Sequence, residues 1–342
     1  MPTPIYSLSL AINATLDMHN LNNEGSEGNQ LQTRMVDIVG ADGGLYNVNA
    51  ISGDMLKHIQ AEYFYNLARE RKLPLCAGCR LFNPNRINAD QAFLTRSKEQ
   101  KLTDAQTVDE LLRTCAMDDV AGILITEGGR SIPRKSVIEF GWAVGIPDAT
   151  REGHNQSFFH VKYAPERSEG QRGQDATRRV QRRDASGSDE GRSGGANLQQ
   201  AIFHRPANSG RYAIVCHLEF ARIGYNDITQ SYAITSEERT RRGRALLESL
   251  LHTFVQLNGA MRSAQLPHLV TLEGAVAYST KMLPAPLISP IMDDYAAQMT
   301  AIGKLLGGGN GVTVAQFSSL GGLVEQISTL IDTAEPYQMP QA

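Results

Sequence analysis

Hydrophobic residues alternate with polar or small ones near the start of the chain, which predicts a β-strand. The apolar positions of this alternation are Tyr6, Leu8, Leu10, Ile12 and Ala14. A polar, asparagine- and glycine-rich loop follows over residues 19–29, too long for a tight hairpin turn. Residues 35–39 then predict a second short strand, and residues 41–44 predict a turn.

Three stretches combine a helix-capping residue with apolar residues at helical spacing, and each predicts a helix. Ser52 or Asp54 can cap the first. Thr103 and Gln106 form a capping box before the second. The third begins at Ser236, has acidic residues in its first turn and is expected to stop near residue 259.

Further apolar runs predict three strands and two helices. The strands are expected at 120–125, 212–220 and 269–278. The helices are expected at 295–306 and 323–331, with the glycine-rich residues 307–311 as a flexible connection between them. Strands interleaved with helices in this order are compatible with a ferredoxin-like core that carries large insertions.

The composition of the chain serves mainly to exclude classes of protein. The 342 residues suffice for one large domain or two modest ones, and the formal charge of −3 argues against indiscriminate coating of nucleic acid. No apolar run approaches the roughly 18 residues that span a bilayer, and the N-terminus lacks a signal-peptide pattern. Four cysteines are too few for a disulfide scaffold. We therefore expect a cytoplasmic protein that does not contact a membrane.

The segment 164–195 differs from the rest because it has no aromatic residue and only Val180 as a large aliphatic. Such a composition predicts a mobile insertion within a folded chain. Its basic half contains Arg172, Arg178, Arg179, Arg182 and Arg183. Two interpretations stay open: a solvated surface loop, or an arm that orders on a polyanion by contacting its phosphates.

Sequence motifs for catalysis or metal binding are weak. The chain has no nucleophile elbow, zinc-protease motif or phosphate-binding P-loop lysine, so nothing indicates an enzyme. Cys76 and Cys79 are spaced like half of a zinc site, but no second pair follows. Cys115 and Cys216 read as ordinary buried cysteines. A plain loop is therefore favoured at Cys76–Cys79, and no metal or cofactor is assigned.

The loop over residues 19–29 and the helix that follows it offer groups suited to phosphate. Asparagine amides and glycine backbone N–H groups lie in the loop, followed by Arg34. A helix start at Ser52 with Lys57 one turn further on can bind an anion. Capped helices with a nearby lysine are also common without any ligand, so phosphate binding is a hypothesis on these residues alone.

Several short stretches occur in an order that resembles one protein family. In chain order they are 10–14, 20–29, 50–59, 115–124, Arg134-Lys-Ser136, 207–212, Arg222-Ile-Gly224, Glu238-Arg239 with Arg242, and 259–268. Over about residues 5–295 the chain resembles the DevR-type CRISPR autoregulator family. Its members are the repeated backbone subunits of type I Cascade antiviral surveillance complexes.

The resemblance implies an α+β fold: a modified RNA-recognition-motif (ferredoxin-like) palm with large insertions that form helical fingers and a thumb hairpin. Residues 1–60 and 205–295 would form the discontinuous palm. Residues 61–150 would form the finger-like helical insertion, and residues 151–204 a partly disordered thumb. Residues 296–342 would add C-terminal helices.

The resemblance also implies a non-catalytic protein that binds CRISPR guide RNA, contacts further copies of itself head-to-tail and other Cascade subunits, and meets target DNA through the guide. No cofactor or metal is implied. The RNA-binding residues carried over by position are Asn20, Asn22, Asn23, Asn29, Arg34, Ser52, Gly53, Lys57, His58, Gly259, Arg262, Ser263 and His268. Arg178, Arg179, Arg182 and Arg183 are thumb or groove candidates because the insertion falls where the thumb belongs.

Two alternatives stay open. One is a guide-directed RNA endonuclease like the related type III backbone subunits, which place an acidic residue in the first long loop, where Glu24 and Glu27 lie here. The other is a DNA-binding autoregulator, which the absence of an evident helix-turn-helix with a basic recognition helix disfavours.

Overall fold

The computed structural model describes residues 2–21, 26–27, 30–31, 33–127, 129–147, 157–163, 202–259, 265–307 and 309–341. Numbered along the chain, the strands are β1 (Thr3–Ile5), β2 (Ser7–His19), β3 (Ser26–Glu27), β4 (Gln30–Leu31), β5 (Met35–Val39), β6 (Leu45–Ile51), β7 (Ile123–Glu127), β8 (Arg130–Arg134), β9 (Ile138–Phe140), β10 (Ala143–Gly145), β11 (Ser157–Tyr163), β12 (Ile202–Leu218), β13 (Tyr225–Asn226), β14 (Ser231–Tyr232), β15 (His268–Ser279), β16 (Val312–Phe317) and β17 (Ala334–Pro336).

The α-helices over the same ranges are α1 (Gly53–Glu70), α2 (Ala77–Arg80), α3 (Gln91–Glu99), α4 (Asp104–Thr114), α5 (Ala116–Ala121), α6 (Ser236–Val255), α7 (Tyr295–Gly307) and α8 (Leu320–Thr333). Short 3-10 helices cover Arg86–Ala89 and Phe220–Arg222. None of the helices in the described ranges combines the length and the apolar character needed to cross a bilayer.

A large sheet organises the fold. Its strands follow the order β16-β15-β2-β12-β10-β6-β5, and each neighbouring pair on this path is antiparallel. The strand β2 lies between β15 and β12 because both of its edges pair along most of its length. The strand β12 also pairs with β9 and, at its N-terminal end, with β11. The predicted α+β class is therefore confirmed.

Alternation along β2 gives the sheet two different faces. Leu8, Leu10 and Ile12 belong to the main hydrophobic core, which also contains buried side chains of α1, α6 and α8. The opposite face carries Ala11, which packs in a smaller cluster with Met299 of α7. Small residues on this second face allow α7 to pack closely on the sheet.

Most of the predicted elements are present in the structure. The strand at 35–39 matches the prediction, the first strand continues to His19, and the helices capped by Ser52, Thr103 and Thr235 follow the predicted spacing. The third of these helices begins at Ser236 but ends at Val255, before the predicted stop near residue 259.

Two predictions about local structure are wrong. Val120 and Ala121 end helix α5, and strand β7 begins only at Ile123, after Gly122 with φ of 68°. A short apolar run does not by itself distinguish a strand from a buried helix end. Residues 307–311 connect α7 to strand β16 and not to another helix, so the predicted C-terminal helices of 296–342 are joined by a strand that pairs with β15.

The predicted helical insertion 61–150 also contributes strands to the large sheet. Strands β9 and β10 lie within it, and both pair with β12. The predicted thumb, 151–204, falls mostly outside the described residues; its described parts are β11 and the first residues of β12, which pair with each other. The other boundaries drawn from the sequence stay predictions.

Candidate nucleic-acid interface

Helix α1 begins against the segment that joins β9 to β10. Ser52 caps the helix, and its Oγ accepts a hydrogen bond from the backbone N–H of Met55 at 3.2 Å. A Cβ atom at Gly53 would lie 2.4 Å from the carbonyl oxygen of Phe140. Glycine is therefore needed at this position for the helix start to reach the sheet so closely.

A cleft of about 490 Å³ lies beside the first turns of α1. Its basic side chains are Lys57, His58 and Arg86, and the aromatic ring of Phe82 lies on its wall. The rings of His58 and Phe82 are 5.7 Å apart between centroids. Lys57 and His58, both predicted from the sequence as phosphate contacts, thus face one cleft, and Arg86 joins them there although the sequence did not single it out.

Lys57 is held in place by a polar contact with a second segment. Its Nζ donates a hydrogen bond to Ser136 Oγ at 3.0 Å, and Ser136 Oγ donates to the carbonyl oxygen of Ile138 at 2.6 Å. Partial burial, followed by the nearby charge of Arg86, lowers the pKa of Lys57 below its ordinary value. An ammonium group has three N–H donors, so this arrangement leaves donors that can reach an anion in the cleft.

Arg34 lies over the ring of Trp142, with its guanidinium carbon 4.7 Å from the ring centroid. The indole is 43% exposed. Ala143 pairs with Ile51, so this stacked pair lies next to the start of α1. Exposed aromatic and guanidinium groups are the kinds that stack on bases and contact phosphates.

Arg34 was predicted from the sequence, whereas Trp142 was not. The one feature of the sequence that could have drawn attention to Trp142 is that it is the single tryptophan of the chain. That residue follows Gly141, which gives no indication of its exposure. Only the pairing of β10 with β6 shows that the indole lies beside Arg34.

A buried polar cluster links β2, β12 and β6 near the first long loop. His19 Nε2 and the hydroxyl of Tyr212 are 2.8 Å apart, and that hydroxyl donates to Asn49 Oδ1 at 2.9 Å. Burial lowers the pKa of His19 to about 4, so the imidazole is neutral at physiological pH. This cluster was not predicted; it fixes the strand ends from which the loop departs.

The start of the asparagine-rich loop contacts the segment that begins at Gly259, although residues of both were predicted to bind RNA. Asn20 is 1% exposed and donates from Nδ2 to Gln265 Oε1 at 3.3 Å. A Cβ atom at Gly259 would lie 2.4 Å from Leu21 Cδ2, so these segments pack directly together. His268 is exposed at the start of β15, opposite Asp17. Asn20 and Gly259 thus make protein contacts in this structure.

The remaining predicted RNA-binding residues lie outside the residues whose side chains the structure describes. They are Asn22, Asn23, Asn29, Arg178, Arg179, Arg182, Arg183, Arg262 and Ser263. Their predicted roles stay predictions.

Several stretches that carry the family resemblance meet at one buried carboxylate, that of Asp119. Its oxygens bind the guanidinium groups of Arg134 and Arg242 and the backbone N–H of Gly224. These residues are separated widely along the chain but adjacent in space. A shared role in one buried ion-pair network thus accounts for their common occurrence in the resemblance.

A cleft with three basic side chains, and an exposed indole stacked with a half-buried arginine, are typical of proteins that contact nucleic acid without reading its sequence. The family model described as "CRISPR-associated negative auto-regulator DevR/Csa2" matches residues 10–300. The chain belongs to this family, which confirms the resemblance seen in the sequence.

Individual relatives are more distant. "CRISPR-associated protein Cas7/Csa2 1" of Saccharolobus solfataricus is 26% identical over 162 residues, which cover 46% of this chain and 50% of that protein. The chain thus spans about half the length of the curated relative it matches.

Solved structures with a similar chain include two named "CRISPR RNA-guided surveillance complex", one of them "pre-nicking". The pre-nicking chain has a TM-score of 0.48 at 10% identity, covering 95% of this chain and 99% of that one. The second has a TM-score of 0.44 at 9% identity, covering 95% and 98%. Csc2 of Thermofilum pendens has a TM-score of 0.38 at 13% identity, covering 94% and 81%.

Proposed function

We propose that this protein is a guide-RNA-binding backbone subunit of a type I CRISPR surveillance complex. Copies would stack head-to-tail along the guide, contact its phosphates and riboses, contact other Cascade subunits, and present the guide for pairing with target DNA. The observation that carries the proposal is the family match over residues 10–300. The subunit itself would break no bond.

The order of the central strands supports an RNA-recognition-type palm. In the sheet, strands β15, β2, β12 and β10 are neighbours in that order and antiparallel. Along the chain, α1 lies between β2 and β10, and α6 lies between β12 and β15. This is the arrangement of a ferredoxin-like βαββαβ unit. The paired strands β11 and β12 extend from it as a hairpin, which is the element proposed as the thumb.

The groups around the start of α1 suit an RNA whose sequence varies. Arg34, Lys57 and His58 offer positive or hydrogen-bonding groups to phosphates, and Trp142 offers a stacking surface that tolerates any base. Recognition through base edges would restrict the guide, so backbone contacts are expected to dominate. Contacts between copies that do not close into a ring would then generate a helical filament.

The decisive experiment is to co-express the protein with its neighbouring subunits and a CRISPR array, purify it, and sequence the bound nucleic acid. We expect guide RNAs of many spacer sequences. We also expect a heterogeneous multimer that becomes smaller after nuclease treatment, as measured by light scattering. An RNA-free monomer under all conditions would contradict the proposal.

A variant test locates the contact surface. Arg34→Ala combined with Trp142→Ala should weaken binding to two RNAs of unrelated sequence by the same factor, measured by fluorescence anisotropy. The matched control, Arg96→Ala with Lys98→Ala, removes exposed positive charges on α3 that do not line the cleft. Tighter binding to duplex DNA than to either RNA would favour the autoregulator alternative.

The endonuclease alternative has its own test. Glu24 lies outside the described residues, and of Glu27 only the backbone of β3 is described. Guide-directed, metal-dependent RNA cleavage that is lost on changing both residues to alanine would favour the nuclease. We expect no such cleavage from the wild-type protein.

A further inference from the structure

Three cysteines and one aspartate meet in the interior although the sequence separates them into two pairs. The sulfurs of Cys76, Cys79 and Cys115 and a carboxylate oxygen of Asp118 all lie within 4.8 Å of one another. Each of these residues is at most 1% exposed. Cys115, expected as an ordinary buried cysteine, thus lies beside Cys76 and Cys79, because α5 begins next to the turn that contains them.

The two pairs have the same local geometry. Cys76 caps the short helix α2, and its sulfur accepts a hydrogen bond from the backbone N–H of Cys79 at 3.3 Å. Cys115 caps α5, and its sulfur accepts from the backbone N–H of Asp118 at 3.5 Å. Residues 76–79 (Cys-Ala-Gly-Cys) and 115–118 (Cys-Ala-Met-Asp) thus form two similar turns, each with a cysteine at its first position and a second possible metal ligand three residues later. In both turns a backbone N–H group points at the cysteine sulfur.

The separations fit a single tetrahedral ion. Asp118 Oδ2 is 3.4 Å from the sulfur of Cys76 and 3.6 Å from the sulfur of Cys79. Around tetrahedral zinc, with metal–sulfur and metal–oxygen distances of about 2.3 and 2.1 Å, neighbouring sulfur and oxygen ligands lie about 3.6 Å apart. An iron–sulfur cluster would hold its ligands farther apart, because the cluster itself lies between them.

The charge and hydrogen bonding of the cluster also point to a cation. Among the described residues Asp118 Oδ1 has no hydrogen-bond partner, and its nearest cation is Arg86 Nη1 at 3.7 Å. Acidic groups gathered in the interior are costly unless a cation compensates them.

We infer that Cys76, Cys79, Cys115 and Asp118 form a structural zinc site. Four protein ligands and full burial leave no open position, as in zinc sites that stabilise folds and do not catalyse. Each cysteine binds as a thiolate, and its proton leaves to solvent. The ion would fasten the turn after α1 to the start of α5. This assignment does not depend on the proposed function.

The position of the first turn is fixed independently of any ion. A Cβ atom at Gly78 would lie 2.0 Å from the carbonyl oxygen of Arg86. Close packing against the backbone of Arg86 therefore requires glycine between the two cysteines. The same packing fixes the turn that carries Cys76 and Cys79.

The test measures zinc in full-length protein purified under reducing conditions from zinc-supplemented medium. We expect one zinc per chain in the wild type and in Cys216→Ser, which changes the cysteine outside the cluster. Cys79→Ser and Asp118→Ala should lower the zinc content at least several-fold. Asp118→Cys should restore it, because it supplies a fourth thiolate; a residue needed only for packing would not show this rescue.

Measurements on the wild type keep the test valid if a variant fails to fold. Titration with an organomercurial should release zinc in proportion to the thiols modified. Protein grown with cobalt should show the visible bands of tetrahedral cobalt thiolate. Wild-type protein with no bound zinc and no cobalt bands would overturn the proposal, as would a disulfide between these cysteines or zinc that persists in Cys79→Ser.

Discussion

Asp119 Oδ2 lies 2.9 Å from Arg242 Nη1, and both side chains are fully buried although the residues are 123 positions apart. Arg134 Nη2 binds the other carboxylate oxygen at 2.6 Å, and the backbone N–H of Gly224 donates to both oxygens. This carboxylate therefore joins α5, β8, α6 and the segment after β12. Its neighbour Asp118 points instead at the cysteine cluster.

Asp119→Asn should destabilise the protein by about 3–5 kcal/mol, because it removes the fully buried charge that pairs with both Arg134 and Arg242 and leaves them only the more exposed carboxylates of Asp227 and Glu238. Urea unfolding followed by circular dichroism measures this loss. Glu110→Gln removes the exposed pair with Arg113 and should change the free energy of unfolding by less than about 1 kcal/mol. Equal effects of the two substitutions would contradict the structural role of Asp119.

Gly122→Ala should destabilise the protein more than Gly43→Ala. Both glycines have positive φ, 68° and 81°, so each alanine is strained by about 1–2 kcal/mol. At Gly122 the new Cβ would also lie 2.5 Å from the backbone nitrogen of Ser136, whereas nothing lies within 4 Å at Gly43. Melting temperatures compare the two variants; a smaller loss at Gly122 would show that α5 and β7 do not meet as described.

The buried imidazole of His19 should make the protein sensitive to mild acid. Burial lowers its pKa from 6.5 to about 4 in the folded state, so between these values the unfolded chain binds the proton and the folded one does not. Stability should therefore fall by about 3 kcal/mol as the pH drops from 7 to 4.

Urea unfolding of the wild type and of His19→Asn over this pH range tests the prediction. The substitution should flatten the pH dependence. The matched control is His58→Gln, at an exposed ring on α1, which should follow the wild-type profile. A pH profile that is unchanged in His19→Asn would assign the acid sensitivity to other groups.

Lys57→Ala together with Arg262→Ala should weaken RNA binding equally for all guide sequences. Each lost phosphate contact should lower the slope of log K against log salt by about 0.7. Anisotropy titrations at several salt concentrations measure both quantities. A loss confined to particular guides would contradict backbone recognition.

The sequence predicted elements that its local chemistry determines. Ser52 and Thr103 predict helix starts because their side chains accept hydrogen bonds from backbone N–H groups of the same turn. The alternation of apolar with polar or small residues from Leu8 to Ala14 predicts β2, because successive side chains of a strand point to opposite faces of the sheet. The end of α5 was missed because the apolar residues Val120 and Ala121 suit a strand as well as a helix.

Contacts between distant segments were beyond the sequence. Nothing near Cys76 indicates that Cys115 lies beside it, because their proximity depends on how α5 packs against the turn after α1. In the same way Trp142 reaches Arg34 only through the pairing of β10 with β6. Lys57 was predicted from its place one turn into α1 and His58 from the family resemblance, and the structure places both of them on one cleft.

Tyr163 pairs with Ile202 as the last rung between β11 and β12. The segment 164–201 thus begins and ends at two residues that face each other across the β11–β12 pair. Closure entropy grows only slowly with loop length. Residues 164–201 are therefore a place where related proteins, or an engineer, can lengthen, shorten or exchange sequence without changing the pairing of β11 with β12.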